Sequence, residues 1–273
     1  MSDAQQIADR RRAVESHPFW YHTLDLGDGV VTPGFFDLRH IFDAIPFFPD
    51  VRGKRCLDIG TYDGFFAFEM ERRGAAEVVA TDIEDHLLWD WPPDVQPNLD
   101  NKIFEGEKGD GFRLAAQLLD SKVDWRAVNI YDLNPDELGT FDVVTCGSLL
   151  LHLRDPLRAL AAVRSVTSGV FLSSEEIDMW LSIKSRHKPV ARINGSGPMC
   201  QWWNANAAGH RQMLVAGGFV PEEVSKPYVV RFNTHPKPAR SPKAIVDGLA
   251  LSAITRDTHP GLLHRAILAR PLP

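Results

Sequence analysis

Residues 54–65 read Lys54-Arg55-Cys56-Leu57-Asp58-Ile59-Gly60-Thr61-Tyr62-Asp63-Gly64-Phe65, and this stretch decides the fold. It predicts a buried strand that enters a glycine turn and opens a helix. Gly60 and Gly64 let the backbone take positive φ or approach a ligand closely, and Asp58 supplies a carboxylate beside the turn. The pattern therefore predicts a nucleotide-type ligand site.

The next predicted strand supports this interpretation. Residues 77–82 read Glu-Val-Val-Ala-Thr-Asp and end on Asp82, a position that suits hydrogen bonds to ribose hydroxyls. The glycine spacing is Gly-x-x-x-Gly, which differs from the Gly-x-Gly-x-x-Gly of pyrophosphate sites, and no lysine follows it as in a P-loop. A phosphate-free adenosine ligand fits this pattern best.

These two segments resemble the first motifs of class I S-adenosylmethionine-dependent methyltransferases, with Tyr62 where many members have a glycine. The resemblance implies S-adenosyl-L-methionine as cofactor and S-adenosyl-L-homocysteine as product. It also implies that residues after the third strand flank the adenine. The cofactor residues predicted in this way are Asp58, Gly60, Tyr62, Gly64, Asp82, Ile83, Asn129, Ile130, Tyr131, Cys146 and Gly147.

Composition narrows the classes of partner. The chain has 273 residues and a formal net charge of −6, which provides no general attraction to nucleic acid. Its three cysteines are far apart and lack metal-ligand spacing, as expected of a reduced, cytoplasmic protein. No apolar run is long enough for a signal peptide or a membrane span, so we expect no membrane partner. The oligomeric state stays open, a homodimer included.

Alternating strand and helix patterns predict an α/β fold, a doubly wound, mostly parallel seven-stranded sheet. We expect an N-terminal helix and lid segment over 1–50, of which 17–34 is either a covering hairpin or a lid. A methyltransferase domain follows over 51–273, with insertions at about 90–111, 177–203 and 232–262. The predicted helices are 65–73, 112–121, 155–167 and one capped by Asn204 that ends at 216; the later strands are 124–130, 141–146, 169–175, 219–224 and 264–270.

Methyl transfer from a sulfonium is an in-line displacement, and a hydroxyl acceptor must also lose a proton. The loop after the fourth strand carries His152 in apolar surroundings, which makes it the first candidate for the general base. The alternative is that His152 only satisfies a backbone carbonyl. Arg154 and Asp155 fit the start of a helix and surface charge.

The fifth strand ends in Glu175, Glu176 and Asp178, close to the same loop. Glu175 or Glu176 is predicted to orient His152 or the acceptor, so both join His152 as candidate catalytic residues. Coordination of Mg²⁺ by these acids is the less favoured alternative, because neighbouring strand residues point to opposite faces. We therefore predict no metal site.

Aromatic and amide side chains suggest a carbohydrate acceptor, since flat apolar faces stack on sugar rings while amides bind hydroxyls. The alternative is that some of these tryptophans are core residues. The predicted substrate-binding residues are Trp20, His22, Trp180, Trp202, Trp203 and Asn204.

Over roughly residues 50–225 the chain resembles the tRNA wobble-uridine methyltransferases that use carboxy-S-adenosylmethionine. Leu151 replaces their tyrosine before the loop histidine, and their basic residues are not evident. Trp20-Tyr21-His22 also resembles a segment of actinobacterial sugar O-methyltransferases, including enzymes of mycobacterial methylmannose polysaccharide synthesis. We predict a sugar O-methyltransferase; the alternatives are a tRNA methyltransferase and a cofactor-binding module without activity.

Overall fold

A computed structural model describes residues 3–93, 106–194, 200–233 and 241–272. Its helices are α1 (Asp3–Ser16), α2 (Ile41–Ala44), α3 (Phe65–Arg72), α4 (Asp110–Leu119), α5 (Pro135–Leu138), α6 (Pro156–Val166), α7 (Met179–Lys184), α8 (Ala207–Ala216) and α9 (Pro242–Thr255). Its strands are β1 (Phe36–Asp37), β2 (Arg55–Ile59), β3 (Glu77–Asp82), β4 (Asp124–Ala127), β5 (Phe141–Gly147), β6 (Thr167–Glu176), β7 (Ala191–Ile193), β8 (Trp203–Ala205), β9 (Phe219–Val224), β10 (Tyr228–Phe232) and β11 (Gly261–Pro271).

Within these described ranges the main sheet has nine strands in the order β1-β10-β11-β6-β5-β2-β3-β4, with β9 also paired to β11. Strands β2 to β6 are mutually parallel, whereas β11 runs antiparallel to β6. The predicted α/β, doubly wound, mostly parallel sheet is confirmed. All seven predicted strands are present, and β1 and β10 extend the sheet beyond seven.

The parallel strands are buried on both faces because helices and loops cover each side of the sheet. Side chains of β5 such as Phe141 and Val143 have no exposed surface, and Leu57 of β2 is equally buried. Two apolar clusters form, one on each face. Burying each such side chain contributes about 1.5–3 kcal/mol, so this core holds the ends of the parallel strands in place.

Strands β10, β1 and the start of β11 extend past the carboxyl ends of the parallel strands. Glu176, the last residue of β6, pairs with His264, so the first residues of β11 have no β6 partner. Those residues pair with β10, which pairs in turn with β1. An antiparallel wall therefore stands over the edge of the sheet where α/β proteins bind ligands.

Three local predictions were wrong. The stretch 232–262 contains helix α9, which begins where Ser241 accepts a hydrogen bond from the Ala244 amide and Pro242 occupies the first turn. Asn206 rather than Asn204 caps α8, because Asn204 lies in the β7–β8 hairpin. The amphipathic pattern of residues 39–48 predicts a short helix, but the structure has only the four-residue α2 (Ile41–Ala44) there. In the described ranges, no helix is both long and apolar enough to cross a bilayer.

Candidate functional site

A cavity of about 380 Å³ lies at the carboxyl ends of β2, β3 and β5. The sheet order reverses between β2 and β5, and such switch points are where open α/β sheets bind ligands. The cavity brings together many of the predicted site residues: Asp58, Gly60, Tyr62, Asp82, Ile83, Asn129, Ile130, Tyr131, Gly147, His152, Glu176 and His22.

The turn after β2 needs its glycines. Gly60 has φ of 68° and Gly64 has φ of 94°, values that glycine adopts without steric cost. A Cβ atom on Gly60 would lie 2.9 Å from Leu149 Cδ2, across the cavity floor. Tyr62, between the two glycines, also has positive φ. The turn is thus a shallow backbone cradle that a side chain would fill.

Asp82 lies at the end of β3, where the sequence placed a ribose-binding acid. Its Oδ1 accepts a hydrogen bond from the Ile83 amide, and its Oδ2 accepts one from the Tyr62 amide at 2.9 Å. Lys108 Nζ lies 2.7 Å from the same Oδ2 and 3.9 Å from the centre of the Tyr62 ring. The Lys108 side chain is only 3% exposed. No sequence pattern indicated Lys108 as a site residue, because it lies in a loop far from the glycine turn of residues 54–65.

A second carboxylate, Asp58, is buried at the cavity floor and accepts a hydrogen bond from Thr145 Oγ1 at 2.7 Å. Burial raises its pKa to about 7. Asp63 is equally buried, and its Oδ2 accepts hydrogen bonds from the amides of Tyr21 and His22 at 2.6 and 2.9 Å. Asp63 therefore fastens the N-terminal segment to the turn that follows β2.

Aromatic side chains form a further part of the cavity lining. The Tyr21 ring stacks on Tyr62 with centroids 4.4 Å apart, and Phe36 stacks on Phe232 at 5.5 Å. We call this the acceptor wall; it consists of the cavity-lining side chains Phe19, Tyr21, Phe35, Phe36, Leu38, Val230 and Leu262. Most of it was missed by sequence reasoning, because it joins residues 19–38 to strands near the C-terminus.

His152 ends a short 3-10 turn, Leu150–His152, and lines the cavity. Its Nδ1 lies 3.0 Å from the Cys200 carbonyl oxygen. A carbonyl oxygen can only accept, so Nδ1 carries the proton of the neutral ring and Nε2 carries the lone pair. This is the tautomer that a general base requires at Nε2.

The two adjacent glutamates have different positions. The carboxylate oxygens of Glu175 accept hydrogen bonds from the amides of Leu149 and Leu150, at 3.4 and 3.2 Å, and burial raises its pKa to about 8. Glu175 therefore supports the turn that carries His152. It is not among the described residues that line the cavity. Glu176 faces the cavity, and burial raises its pKa to about 7.

Two further polar residues line the cavity beside Glu176. Ser148 follows β5 directly, and its Oγ lies 2.7 Å from Nε2 of His264. His264 pairs with Glu176 across the β6–β11 ladder, which places their side chains on the same face of the sheet. Sequence reasoning named neither residue as functional, since the sheet alone brings Ser148 and His264 together.

Seven other predicted site residues lie outside the set of described residues that line the cavity: Trp20, Gly64, Cys146, Trp180, Trp202, Trp203 and Asn204. Trp20 is buried in the core and donates to the Val14 carbonyl. Trp180 donates to Asp247, and Trp202 to the Asp90 carbonyl. Cys146 is a core residue of β5, and Gly64 lets the chain enter α3.

The acidic side chains considered as possible Mg²⁺ ligands point in different directions. Asp178 accepts the Leu181 amide at the start of α7 and pairs with Arg192 at 2.8 Å, whereas Glu175 faces the turn before His152. Over the ranges that the structure describes, no three histidine, cysteine or acidic side chains are grouped to hold a metal ion.

A family model described as a methyltransferase domain matches residues 36–216. A ubiquinone biosynthesis O-methyltransferase of Neisseria meningitidis is 32% identical over 136 residues, which cover 48% of each chain. A tRNA U34 carboxymethyltransferase of Campylobacter hominis is 31% identical over 140 residues, covering 50% of this chain and 41% of that protein. The chain thus spans about half the length or less of the curated relatives it matches.

Solved structures share the fold at low identity. The N-terminal domain of EvdMO1 with bound S-adenosylhomocysteine superposes with a TM-score of 0.55 at 16% identity, covering 99% of this chain and 98% of that one. A methyltransferase of Mesorhizobium loti superposes with a TM-score of 0.51 at 16% sequence identity, covering 85% of this chain and 97% of that one. The [4+2]-cyclase SpnF superposes with a TM-score of 0.54 at 17% sequence identity, covering 98% of this chain and 94% of that one. One fold therefore serves different reactions, and function must be argued from the site.

Proposed function

Because this chain belongs to the class I S-adenosylmethionine-dependent methyltransferases, we propose that it transfers a methyl group to a hydroxyl of a small acceptor with a flat, apolar face. The observation that carries this proposal is the acceptor wall. Its aromatic side chains line the same cavity of about 380 Å³ as Gly60 and the strand-end acids. Such a mixture of apolar walls and few polar groups is typical of small-ligand sites.

The residues present fit S-adenosylmethionine, which supplies an electrophilic methyl group when bound. Gly60 lines the cavity with its backbone alone, and Asp82 is held at the end of β3 to accept hydrogen bonds from ribose hydroxyls. Asn129 and Ile130 line the cavity at the place where the family resemblance puts adenine.

His152 is proposed as the general base. Its Nδ1–H donates to the Cys200 carbonyl, so Nε2 is the nitrogen that takes the proton of the acceptor hydroxyl. Glu175 contributes indirectly, because it holds the amides of Leu149 and Leu150 and thereby the turn that ends at His152. Glu176 faces the acceptor and is proposed to orient it.

Two acceptor classes are consistent with this geometry. An aromatic alcohol is the first, because its ring matches the aromatic side chains of Tyr21 and Phe36, which pack edge to face with centroids 5.2 Å apart. A sugar is the second, favoured by Asp90, Gln201 and Glu176, polar residues that also line the cavity. The tryptophans that suggested a sugar lie outside the described cavity lining, so the aromatic alcohol comes first.

The name of the Campylobacter relative makes tRNA a further candidate acceptor. The net charge of −6 weighs against it, because affinity for nucleic acid depends largely on contacts from lysine and arginine to phosphate. Binding of transfer RNA that weakens steeply with added salt would favour this candidate. A cytoplasmic location remains part of the proposal.

The proposal is tested with labelled S-adenosylmethionine and panels of phenols, glycosides and transfer RNA. We expect transfer to a phenolic hydroxyl. His152→Ala should lower kcat by about 10²–10⁴-fold, the usual contribution of a general base, while S-adenosylhomocysteine binds unchanged.

His187, an exposed histidine, provides the matched control, since His187→Ala should keep full activity. Full activity of the His152 variant would reject the base assignment. Tight binding of the cofactor without transfer to any hydroxyl in the panels would reject the proposed reaction and favour a binding module.

A further inference from the structure

We infer that the Ser148 hydroxyl can only accept a hydrogen bond from a ligand in the cavity, so that the acceptor molecule carries, beside the hydroxyl that is methylated, a second group that donates a hydrogen bond. That group is a hydroxyl or a protonated amine. The inference rests on the proposed function, in which His152 serves the methylated hydroxyl, and it defines the chemical class of the acceptor more narrowly.

Ser148 is held firmly where the cavity meets β5 and β6. Its amide donates to the Ser174 carbonyl at 2.8 Å, and its φ is 51°, a value that residues with a side chain rarely adopt. The neighbouring fold maintains this conformation, and backbone conformations of this kind cluster at functional sites.

His264 fixes the direction of the Ser148 proton. Nδ1 of His264 lies 3.1 Å from the Leu262 carbonyl oxygen, and Nε2 lies 2.7 Å from Ser148 Oγ. The opposite tautomer would place the Nδ1 lone pair against the carbonyl lone pairs, which is repulsive. Nδ1 therefore carries the ring proton, Nε2 accepts, and Ser148 must donate to it.

The protonation state of the ring agrees with this assignment. His264 is 1% exposed, and burial lowers its pKa to about 4. The ring is therefore neutral at neutral pH and has one proton, which is committed to Leu262. A doubly protonated ring, which would leave Ser148 free to donate elsewhere, is disfavoured by this burial.

The consequence is a restriction on which hydrogen-bonding groups of a ligand can bind at this end of the cavity. Ser148 has one hydroxyl proton, already donated to His264, and its two lone pairs can only accept. Glu176, opposite His264 in the ladder, adds carboxylate oxygens that accept when ionised. A carbonyl, ether or carboxylate placed at Ser148 would face these lone pairs, whereas a hydroxyl or ammonium group would donate to them.

The test measures binding to the protein saturated with S-adenosylhomocysteine, so that no turnover is needed. The probes are 1,2-dihydroxybenzene and 2-fluorophenol, which are close in size and differ in one donor. We expect the wild-type protein to bind the dihydroxy probe roughly tenfold more tightly, as one lost hydrogen bond implies.

Ser148→Gly removes the hydroxyl and suits the positive φ, so the preference should fall to within about threefold. His264→Phe keeps a ring of similar size but removes the nitrogen that receives the serine proton. Ser148 can then donate into the cavity, and the preference should fall in the same way. A purely structural disturbance would weaken both probes together and leave their ratio unchanged.

Ser174→Ala is the matched control, because Ser174 also lines the cavity but its Oγ is hydrogen-bonded to the Tyr228 hydroxyl oxygen, 2.6 Å away, and not to His264. It should keep the wild-type ratio. An unchanged ratio in Ser148→Gly, or a wild-type protein that binds both probes equally or neither, overturns the inference. Because S-adenosylhomocysteine replaces the methyl donor, failure of methyl transfer would reject the proposed function and leave this ratio standing.

Discussion

The two walls of the cavity are built in different ways. On the cofactor side, Asp82 is fixed by the amides of Ile83 and Tyr62, which lie on the same β2–β3 unit of the chain. On the acceptor side, Phe36 stacks on Phe232, a residue from the other end of the sequence. The cofactor side depends on local backbone hydrogen bonds, whereas the acceptor wall depends on side-chain contacts between distant segments.

This difference bears on how the site could change. A carboxylate that accepts backbone hydrogen bonds helps to maintain the geometry of the strand end. Removing that carboxylate therefore disturbs the fold as well as the binding of the ligand. An aromatic wall tolerates substitution by other apolar side chains at a smaller cost. We therefore expect the cofactor side to be the more sensitive to mutation and the acceptor wall to determine specificity.

The largest expected effect is on the cofactor side. Asp82→Ala should lower the free energy of unfolding by about 3–5 kcal/mol, because it leaves the buried Lys108 ammonium without its partner, and should weaken cofactor binding about tenfold or more. Denaturant unfolding and calorimetry with S-adenosylhomocysteine measure the two effects. Glu77→Ala, which removes an exposed acid of the same strand, should change stability by less than about 1 kcal/mol.

The double variant Asp82→Ala with Lys108→Met separates stability from binding. It should regain most of the lost stability, because no unpaired charge remains buried, while cofactor affinity stays low. Equal stability of the Asp82 single variant and the wild type would contradict the buried ion pair. The cofactor side would then be no more sensitive than the acceptor wall.

The second prediction concerns Asp63, which joins the two walls. Asp63→Ala leaves the amides of Tyr21 and His22 without their acceptor, at a cost of about 1–3 kcal/mol for an unsatisfied buried donor. Hydrogen exchange should accelerate across residues 17–38, and KM for the acceptor should rise more than KM for the cofactor. Asp63→Asn keeps one acceptor oxygen and should resemble the wild type.

Unchanged exchange in the N-terminal segment of Asp63→Ala would show that the aromatic contacts hold this segment without the carboxylate. The acceptor wall would then be independent of the cofactor side.

The last prediction, the smallest when measured per pH unit, is a dependence of stability on pH. Burial raises the pKa of Asp58 and of Glu176 to about 7, above the value near 4 that each has when unfolded. Between pH 4 and 7 each of these groups is ionised in the unfolded chain and protonated in the folded one, so its own contribution to stability falls as pH rises through this window and levels off above it. Buried histidines, whose pKa values burial lowers, contribute in the opposite sense, so each carboxyl is measured as the difference between wild type and variant. Each carboxyl contributes at most about 1.4 kcal/mol per pH unit.

Urea unfolding of the wild type, Asp58→Asn and Glu176→Gln at pH 5, 6, 7 and 8 measures this slope. Each variant removes one titrating group, one from each side of the cavity, and should make the slope of stability against pH more positive than that of the wild type by a similar amount. Equal slopes in the wild type and both variants would contradict the raised pKa values. A slope that only one variant changes would assign the effect to that side.

The sequence by itself determined the α/β class, the seven predicted strands of a mostly parallel sheet, and the side of the cavity around Gly60 and Asp82. It could do so because strand, turn and helix signals are local: a glycine that needs positive φ and an acid at a strand end lie within a few residues of the features they serve.

Only the tertiary structure decided the acceptor wall, the burial of Lys108 against Asp82 and the contact between Ser148 and His264. It also placed Trp20 in the core and the other predicted tryptophans away from the described cavity lining. The acceptor wall and the Ser148–His264 contact depend on which strands become neighbours in the sheet, and the Lys108–Asp82 pair depends on how the loop before α4 packs against the end of β3. A residue's own neighbours in sequence carry no information about a partner more than a hundred positions away, so periodicity and motif spacing could not reveal them.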